Sequence, residues 1–368
     1  MSSNLPSTRL ATRLAFIVAG FSIAAWAATV PYAKLRVGVD EAGLGILLLC
    51  LGGGSIMAMP STGGLCARYG SRIVIIVGGF GVTLLLPMLA VAGTPALLGV
   101  ILAGFGASLG ALEVAMNIHA SEVQKDSDWP LMSGFHAMFS IGGFIGAGGM
   151  ALLLSLGLQP VQALLIGSAG MAVALAVTFP RLLSARGGEP VHFALPQGSI
   201  LLLAFLTWVA FLMEGSLLDW SALLIVEKEL APVEQGGAGY MVFAVAMTLG
   251  RLTGDRVVQL AGPRLVLILG GSVVVAGLAL LASAPALWVA LAGLVLLGLG
   301  AANIVPVLIS LAAGQTSMSP SLAIAAVTTT GYAGVLLGPA RLCLNLCGGG
   351  AAFLPSTVLA RLGRTWRV

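Results

Sequence analysis

Charged residues are scarce. Asp, Glu, Lys and Arg make up 8% of the 368 residues, where water-soluble globular chains carry roughly 25%. A surface wetted on all sides cannot be tiled with so few charges, and a soluble fold is excluded. Cysteine is equally thin. Cys50 and Cys66 lie in or beside apolar runs, and Cys343 and Cys347 stand four apart with no second pair and no nearby histidine. That spacing implies neither a metal site nor a disulfide framework. No Walker A phosphate loop is present, so ATP-driven work by this chain alone has no support. No Ser–His–Asp arrangement stands out either. The reading is therefore not an enzyme, with no cofactor and no metal. Aromatics are 6% and the net charge is +4. The basic residues sit singly or in pairs at the ends of apolar runs, with no basic stripe or aromatic platform, so nucleic acid is not an expected partner.

What is abundant is apolar and small. Hydrophobic residues are 58% and glycines number 51. Small residues let helices approach closely in lipid, where contact must come from packing. Runs of about 20 apolar residues span a bilayer. Eleven such runs are read at 12–33, 42–65, 73–93, 96–118, 133–155, 160–180, 199–225, 237–258, 264–284, 287–311 and 321–342. With the N-terminus inside, the inner segments and helix ends hold Arg9, Arg13, Arg68, Arg72, Lys125, Arg181, Arg186, Arg251, Arg256 and Arg264. The outer segments hold Lys34, Arg36 and Lys228. That bias places the N-terminus in the cytoplasm. The longest polar connection, 181–198, reads as a cytoplasmic linker between an N-terminal six-helix half (1–180) and a C-terminal half (199–342), followed by an atypical tail (343–368).

The halves repeat weakly. Gly70-Ser71-Arg72 returns as Gly262-Pro263-Arg264, 192 residues later, and Gly104-Phe105-Gly106-Ala107 is matched to Gly298-Leu299-Gly300-Ala301, 194 residues later. Parallel repeats of this kind occur in one large class of transporters.

The loop Gly63-Gly64-Leu65-Cys66-Ala67-Arg68-Tyr69-Gly70-Ser71-Arg72 resembles the signature loop G-x-x-x-D-R-x-G-x-R of the major facilitator superfamily. Gly63, Arg68, Gly70 and Arg72 fit, and Ala67 stands where the aspartate is usual. The segment from Gly250-Arg251 through Gly254-Asp255-Arg256 to Gly262-Pro263-Arg264 resembles its counterpart in the second half. Longer strings, among them Val114-Ala115-Met116-Asn117-Ile118, Leu131-Met132-Ser133-Gly134-Phe135-His136 and Gly300-Ala301-Ala302-Asn303-Ile304-Val305-Pro306, are similar to a bacterial branch, the YbjJ-type inner-membrane proteins, itself loosely like the proton-coupled fucose permeases. The resemblance covers residues 12–340. It implies an all-α membrane protein, a bundle of two pseudo-symmetric six-helix halves in the bacterial inner membrane. It further implies a monomer that moves a small solute, coupled to protons, by alternating access. It also implies that these loops latch the cytoplasmic gate. With Ala67 in place of the carboxylate, Asp255 with Arg251 or Arg256 is left to serve that role.

After Gly338-Pro339-Ala340 the chain departs from the pattern. About eleven spans are present and the twelfth is missing, because no later stretch offers 18 continuous apolar residues. A frameshift near codon 341 is the favoured account, and a short interfacial tail the other.

Charges inside hydrocarbon cost at least about 2.5 kcal/mol, so those present should face a cavity or a partner. Glu113 is the leading candidate for proton coupling, with Asn117 one turn on along the same helical face. His136, at the start of run five, suits a proton relay to Glu113 or an interfacial pin. Glu214 lies midway along run seven, with Asp219 and Trp220 further out. Trp26, Asn117, Asp219, Trp220, Asn303, Thr329 and Tyr332 are candidate cavity residues, and aromatic faces with neutral donors suit a polar solute. Each also has a packing role as its alternative. Run four carries no arginine, which argues against an obligate anionic cargo. His119 and His192 are expected to be solvated. An efflux pump for apolar or cationic compounds, or a non-transporting sensor or remnant, are the rival functions.

Overall fold

A computed structural model describes residues 5–183, 198–232 and 237–347, without the side chains of residues 41, 219 and 337–347. Among the described residues every regular element is a helix. The first half comprises α1 (Leu5–Val37), α2 (Glu41–Tyr69), α3 (Ser71–Met88), α4 (Pro95–Lys125), α5 (Met132–Ser155) and α6 (Pro160–Thr178). A 3-10 turn at Phe179–Arg181 follows, and then α7 (Ser199–Glu227), α8 (Ala238–Ala261), α9 (Pro263–Ser283), α10 (Leu287–Ala301), α11 (Ile304–Gly314) and α12 (Pro320–Cys347). Each apolar run forms a helix, except that the tenth breaks in two at Ala302-Asn303. Among the described residues nine segments, counting α10 and α11 as one, are long and apolar enough to cross a membrane. α8 carries Arg251, Asp255 and Arg256 in its second half, which lowers its apolar character. Most of the 181–198 linker and the tail beyond residue 347 lie outside the described residues.

Local chemistry sets the ends. The Asp40 carboxylate accepts from the Gly43 amide at 2.8 Å and caps α2, and Thr94 accepts from Leu97 to cap α4. Gly70 and Gly262 turn the chain between α2 and α3 and between α8 and α9 with φ of 84° and 78°. Only glycine adopts that conformation cheaply.

The two halves are built from the same contacts at one offset. Gly106 on α4 lies against the Leu51 carbonyl of α2, and 192 residues on, Gly298 of α10 lies against the Phe243 carbonyl of α8. Gly78 of α3 meets the Ser108 carbonyl of α4, and Gly270 of α9 meets the Gly300 carbonyl of α10, where an added Cβ would stand 2.9 and 2.7 Å from oxygen. Gly142 of α5 lies on Ile17 of α1 and Gly334 of α12 on Trp208 of α7, where the glycines keep the offset and the partners differ from it by one residue. The offset of 192 pairs Gly106 with Gly298, so the sequence match of Gly104 to Gly298 is two residues out of register. Glycine-rich strings align with themselves at several offsets, and only the contacts choose among them.

The halves meet along α5 with α8 and α2 with α12. In the first half α6 packs on both α1 and α3. No described helix covers α7 and α9 in the same way. In the most apolar 18-residue window of each helix, 44% of α3 is buried but 17% of α9. Leu265, Ile268, Leu269 and Val275 of α9 are exposed.

Candidate functional site

Polar side chains gather where the halves face each other. Midway along α4, Glu113 is 6% exposed. The Tyr332 hydroxyl of α12 lies beside its carboxylate, across the interface between halves. One turn on, the Asn117 amide Nδ2 donates to the Glu113 carbonyl at 2.9 Å. That orients Asn117 Oδ1 towards His136 Nε2 of α5, at 3.1 Å. Since Oδ1 only accepts, His136 carries its hydrogen on Nε2. The His136 ring also lies 5.3 Å from the Phe16 ring of α1. Asn117 thus links the His136 ring to the Glu113 main-chain carbonyl, not to the Glu113 carboxylate.

A second group centres on Arg251, 7% exposed. The residue was expected in the gate. It instead points into the bundle, where Nη2 lies 3.8 Å from Glu214 Oε1 of α7. Nη1 donates to Ser140 Oγ of α5 at 2.9 Å, and Nε to the Ala302 carbonyl at 3.3 Å. The sequence explains why that carbonyl is free. In a continuous helix it would accept from the amide four residues on, and that residue is Pro306, which has no N–H. The same proline accompanies the break between α10 and α11, and Asn303 at the break donates through Nδ2 to the Gly250 carbonyl at 3.2 Å.

Ser140 and Tyr332 are 192 residues apart, so they occupy the same place in the two halves. Each offers a hydroxyl to a charged side chain of the opposite half. Tyr332 reaches Glu113, and Ser140 receives Arg251. Nothing in the sequence around Ser140 signals this, because serine is common in such helices and its partner is 111 residues away.

The other candidates are placed as follows. Trp26 is 2% exposed with its indole nitrogen unpartnered, and Trp220 Nε1 is likewise buried without a partner. The Thr329 hydroxyl is used within its own helix, on the Ala325 carbonyl at 2.7 Å, whereas its neighbour Thr328 is 3% exposed with a free Oγ1. The Asp219 side chain lies outside the described residues.

At the end of the bundle where the linker joins, Asp255 of α8 accepts from the Gly134 amide at 3.0 Å, at the start of α5. Arg13 lies close enough to act on the same carboxylate. Asp255 therefore binds the positive end of a helix in the opposite half, while Arg251 lies one turn deeper with Glu214. Of the two arginines expected to serve the gate with Asp255, Arg251 is engaged with Glu214 instead and Arg256 is exposed. Gln124 Nε2 donates to Ser310 Oγ across the halves at 3.2 Å, and its Oε1 accepts from the amides of Leu131 and Met132. A crevice of about 320 Å³ opens beside this latch, lined by Gln124, Trp129, Asp255, Gln259 and Ser310 among others. Gly63 of α2 packs on Ser321 and Ala325 of α12. Arg68 lies over the Tyr69 ring at 5.1 Å, and Arg72 over Phe179 at 4.5 Å. Arg256 and Arg264 are exposed.

His119 is fully buried rather than solvated. Its Nε2 accepts from the Leu183 amide at 3.0 Å, so Nδ1 carries the hydrogen and faces Thr12 Oγ1 at 3.1 Å. It ties α4 to α1 and to the start of the linker. His192 lies outside the described residues. Among the described residues no cluster of His, Cys, Asp and Glu fit for a metal occurs.

The family described as Major Facilitator Superfamily matches residues 13–339. An uncharacterized MFS-type transporter of Yersinia pestis is 47% identical over 341 residues, which is 91% of this chain and 88% of that one. The membrane protein MosC of Rhizobium meliloti is 31% identical over 90% of this chain and 82% of its own. Among solved structures, the Escherichia coli fucose:proton symporter FucP has a TM-score of 0.72 at 15% identity, covering 95% of this chain and 94% of its own.

Proposed function

The chain is a member of the Major Facilitator Superfamily, a multi-pass membrane transporter, and on that premise we propose that it carries a small polar solute together with protons by alternating access of its two halves. The proton carrier in this reading is Glu113. The observation that supports it most is the burial of the Glu113 carboxyl of one half beside the Tyr332 hydroxyl of the other. A carboxylate in that position favours one arrangement of the halves, and its protonation state weights the equilibrium between them. One turn on, Asn117 bonds to the Glu113 main-chain carbonyl and to His136.

The linker end is taken as cytoplasmic, from the excess of Lys and Arg there, and the membrane as the bacterial inner membrane. The bonds Asp255–Gly134 and Gln124–Ser310 then keep the cytoplasmic side closed. The carrier is read as a monomer. A charged and hydrogen-bonded centre favours a polar cargo over the greasy compounds of an efflux pump.

The test is transport in proteoliposomes. Solute-dependent proton flux is expected in the unaltered protein and is expected to vanish in Glu113→Gln, while solute counterflow persists. Proton flux that survives in Glu113→Gln would remove Glu113 from the coupling step.

A further inference from the structure

We propose that Arg251 is the anchor for a carboxylate group on the carried solute, and that Glu214 is a resident counter-ion which this carboxylate replaces. The proposal rests on the transport reading above and narrows its cargo to small monocarboxylate solutes.

The geometry around the guanidinium carries the argument. Arg251 is buried among apolar helices, where an unbalanced charge would be costly. Glu214 balances the charge, but it does not fill the fork. The separation of 3.8 Å is beyond hydrogen-bond range, and the facing Oε1 is buried without any hydrogen-bond partner. A carboxylate that engages an arginine fully sits at about 2.7–2.9 Å and often uses two parallel bonds. The pair is thus electrically matched and geometrically unsatisfied. Meanwhile Nε is held by the Ala302 carbonyl and Nη1 by the Ser140 hydroxyl, which fixes the plane of the guanidinium. Ser140 Oγ in turn lies 3.4 Å from the His136 carbonyl, an acceptor for its hydrogen. A solute carboxylate arriving at Nη2 would meet an oriented donor rather than a mobile side chain. The Glu214 side chain keeps 22% of its surface accessible, so the pair is not fully sealed.

Charge balance adds a second constraint. One cation matches one negative charge, so a monocarboxylate fits and a phosphate dianion leaves one charge over. When the solute carboxylate takes the place of Glu214 at the guanidinium, the displaced carboxylate turns to the accessible side of Glu214 and keeps its charge there. The site then holds one positive and one negative group, as before. The titratable groups facing the pair are His136 on α5 and Tyr240 on α8, with Tyr332 of α12 resting on Phe211 of α7 one turn from Glu214. Run four lacks an arginine, which had argued against anionic cargo, but this cation comes from the other half.

The experiment is thermal stabilisation and equilibrium binding on the full-length protein in detergent. The probes are lactate, gluconate, inorganic phosphate, glucose and choline. Lactate or gluconate is expected to stabilise the unaltered protein, and phosphate, glucose and choline are not. Glu214→Gln removes the competing carboxylate and is expected to tighten carboxylate binding about tenfold, or roughly 1.4 kcal/mol. Arg251→Lys keeps the charge, loses the fork, and is expected to weaken it. Should Arg251→Lys fail to fold, Glu214→Gln alone decides. Glucose stabilising as well as gluconate, no shift with either carboxylate, or unchanged affinity in Glu214→Gln would each overturn the proposal. If a neutral or cationic solute drives Glu113-dependent proton flux while carboxylates do nothing, this inference falls and the transport reading stands.

Discussion

At the scale of residues, the centre depends on bonds that no local pattern predicts. Glu113 and Asn117 were legible because residues four apart on a helix share a face. Arg251 was misplaced because a charge near the end of an apolar run looks like a loop residue. Its surroundings come from Pro306, which leaves the Ala302 carbonyl without a helical donor. Restoring that donor with Pro306→Ala should draw the carbonyl back into a helix. The guanidinium then loses one anchor, worth on the order of 1 kcal/mol. Expected outcomes are a higher melting temperature in detergent and a several-fold higher KM for transport, measured together on one preparation. Tyr332→Phe and Ser140→Ala each delete one hydroxyl contact between halves. Each should shift the balance towards the form open at the linker end, read by spectroscopic distances across that end. Unchanged distances in both would show that these hydroxyls do not hold the halves.

At the scale of elements, glycine positions set how closely helices pack. Gly106 and Gly298 do the same work in the two halves, each against a carbonyl of its neighbouring helix. Valine at either position should force that pair apart and cost about 1–3 kcal/mol, seen as a lower melting temperature of similar size for both variants. A large loss at one and none at the other would contradict the common register of 192 residues. The latch at the linker end is one-sided. Asp255 binds the start of α5, whereas the corresponding contact of α2 with α12 uses Gly63, which has no side chain to bond with. Asp255→Ala should remove about 1 kcal/mol of capping and dipole stabilisation. The expected readout is faster labelling of a cysteine placed at Ser310, in a background without the native cysteines, by an impermeant thiol reagent applied from the linker side.

At the scale of the whole molecule, the halves share a register but are unequal in cover. α6 buries the outer faces of α1 and α3, and no described helix does so for α7 and α9. The family match ends at residue 339, where the sequence also changes character. Val275, at the middle of α9, is 67% exposed. If lipid meets this face, Val275→Asp should cost about 2.5–3.5 kcal/mol of membrane insertion. A glycosylation-mapping assay of insertion measures it, and an unimpaired variant would mean that water or protein covers α9.

The sequence alone determined the solvent of this chain. Its low charge, its apolar runs of bilayer length and its glycine content leave a helical membrane bundle as the outcome, because backbone polar groups in lipid must be satisfied within the segment. Composition and period are properties of neighbouring residues, and so they can be read along the chain. Only the tertiary structure decided which side chains meet. Arg251 finds Ser140 and Ala302 at separations of 111 and 51 residues, and those meetings are set by helix rotation and depth. Neither leaves a trace in the local order of amino acids.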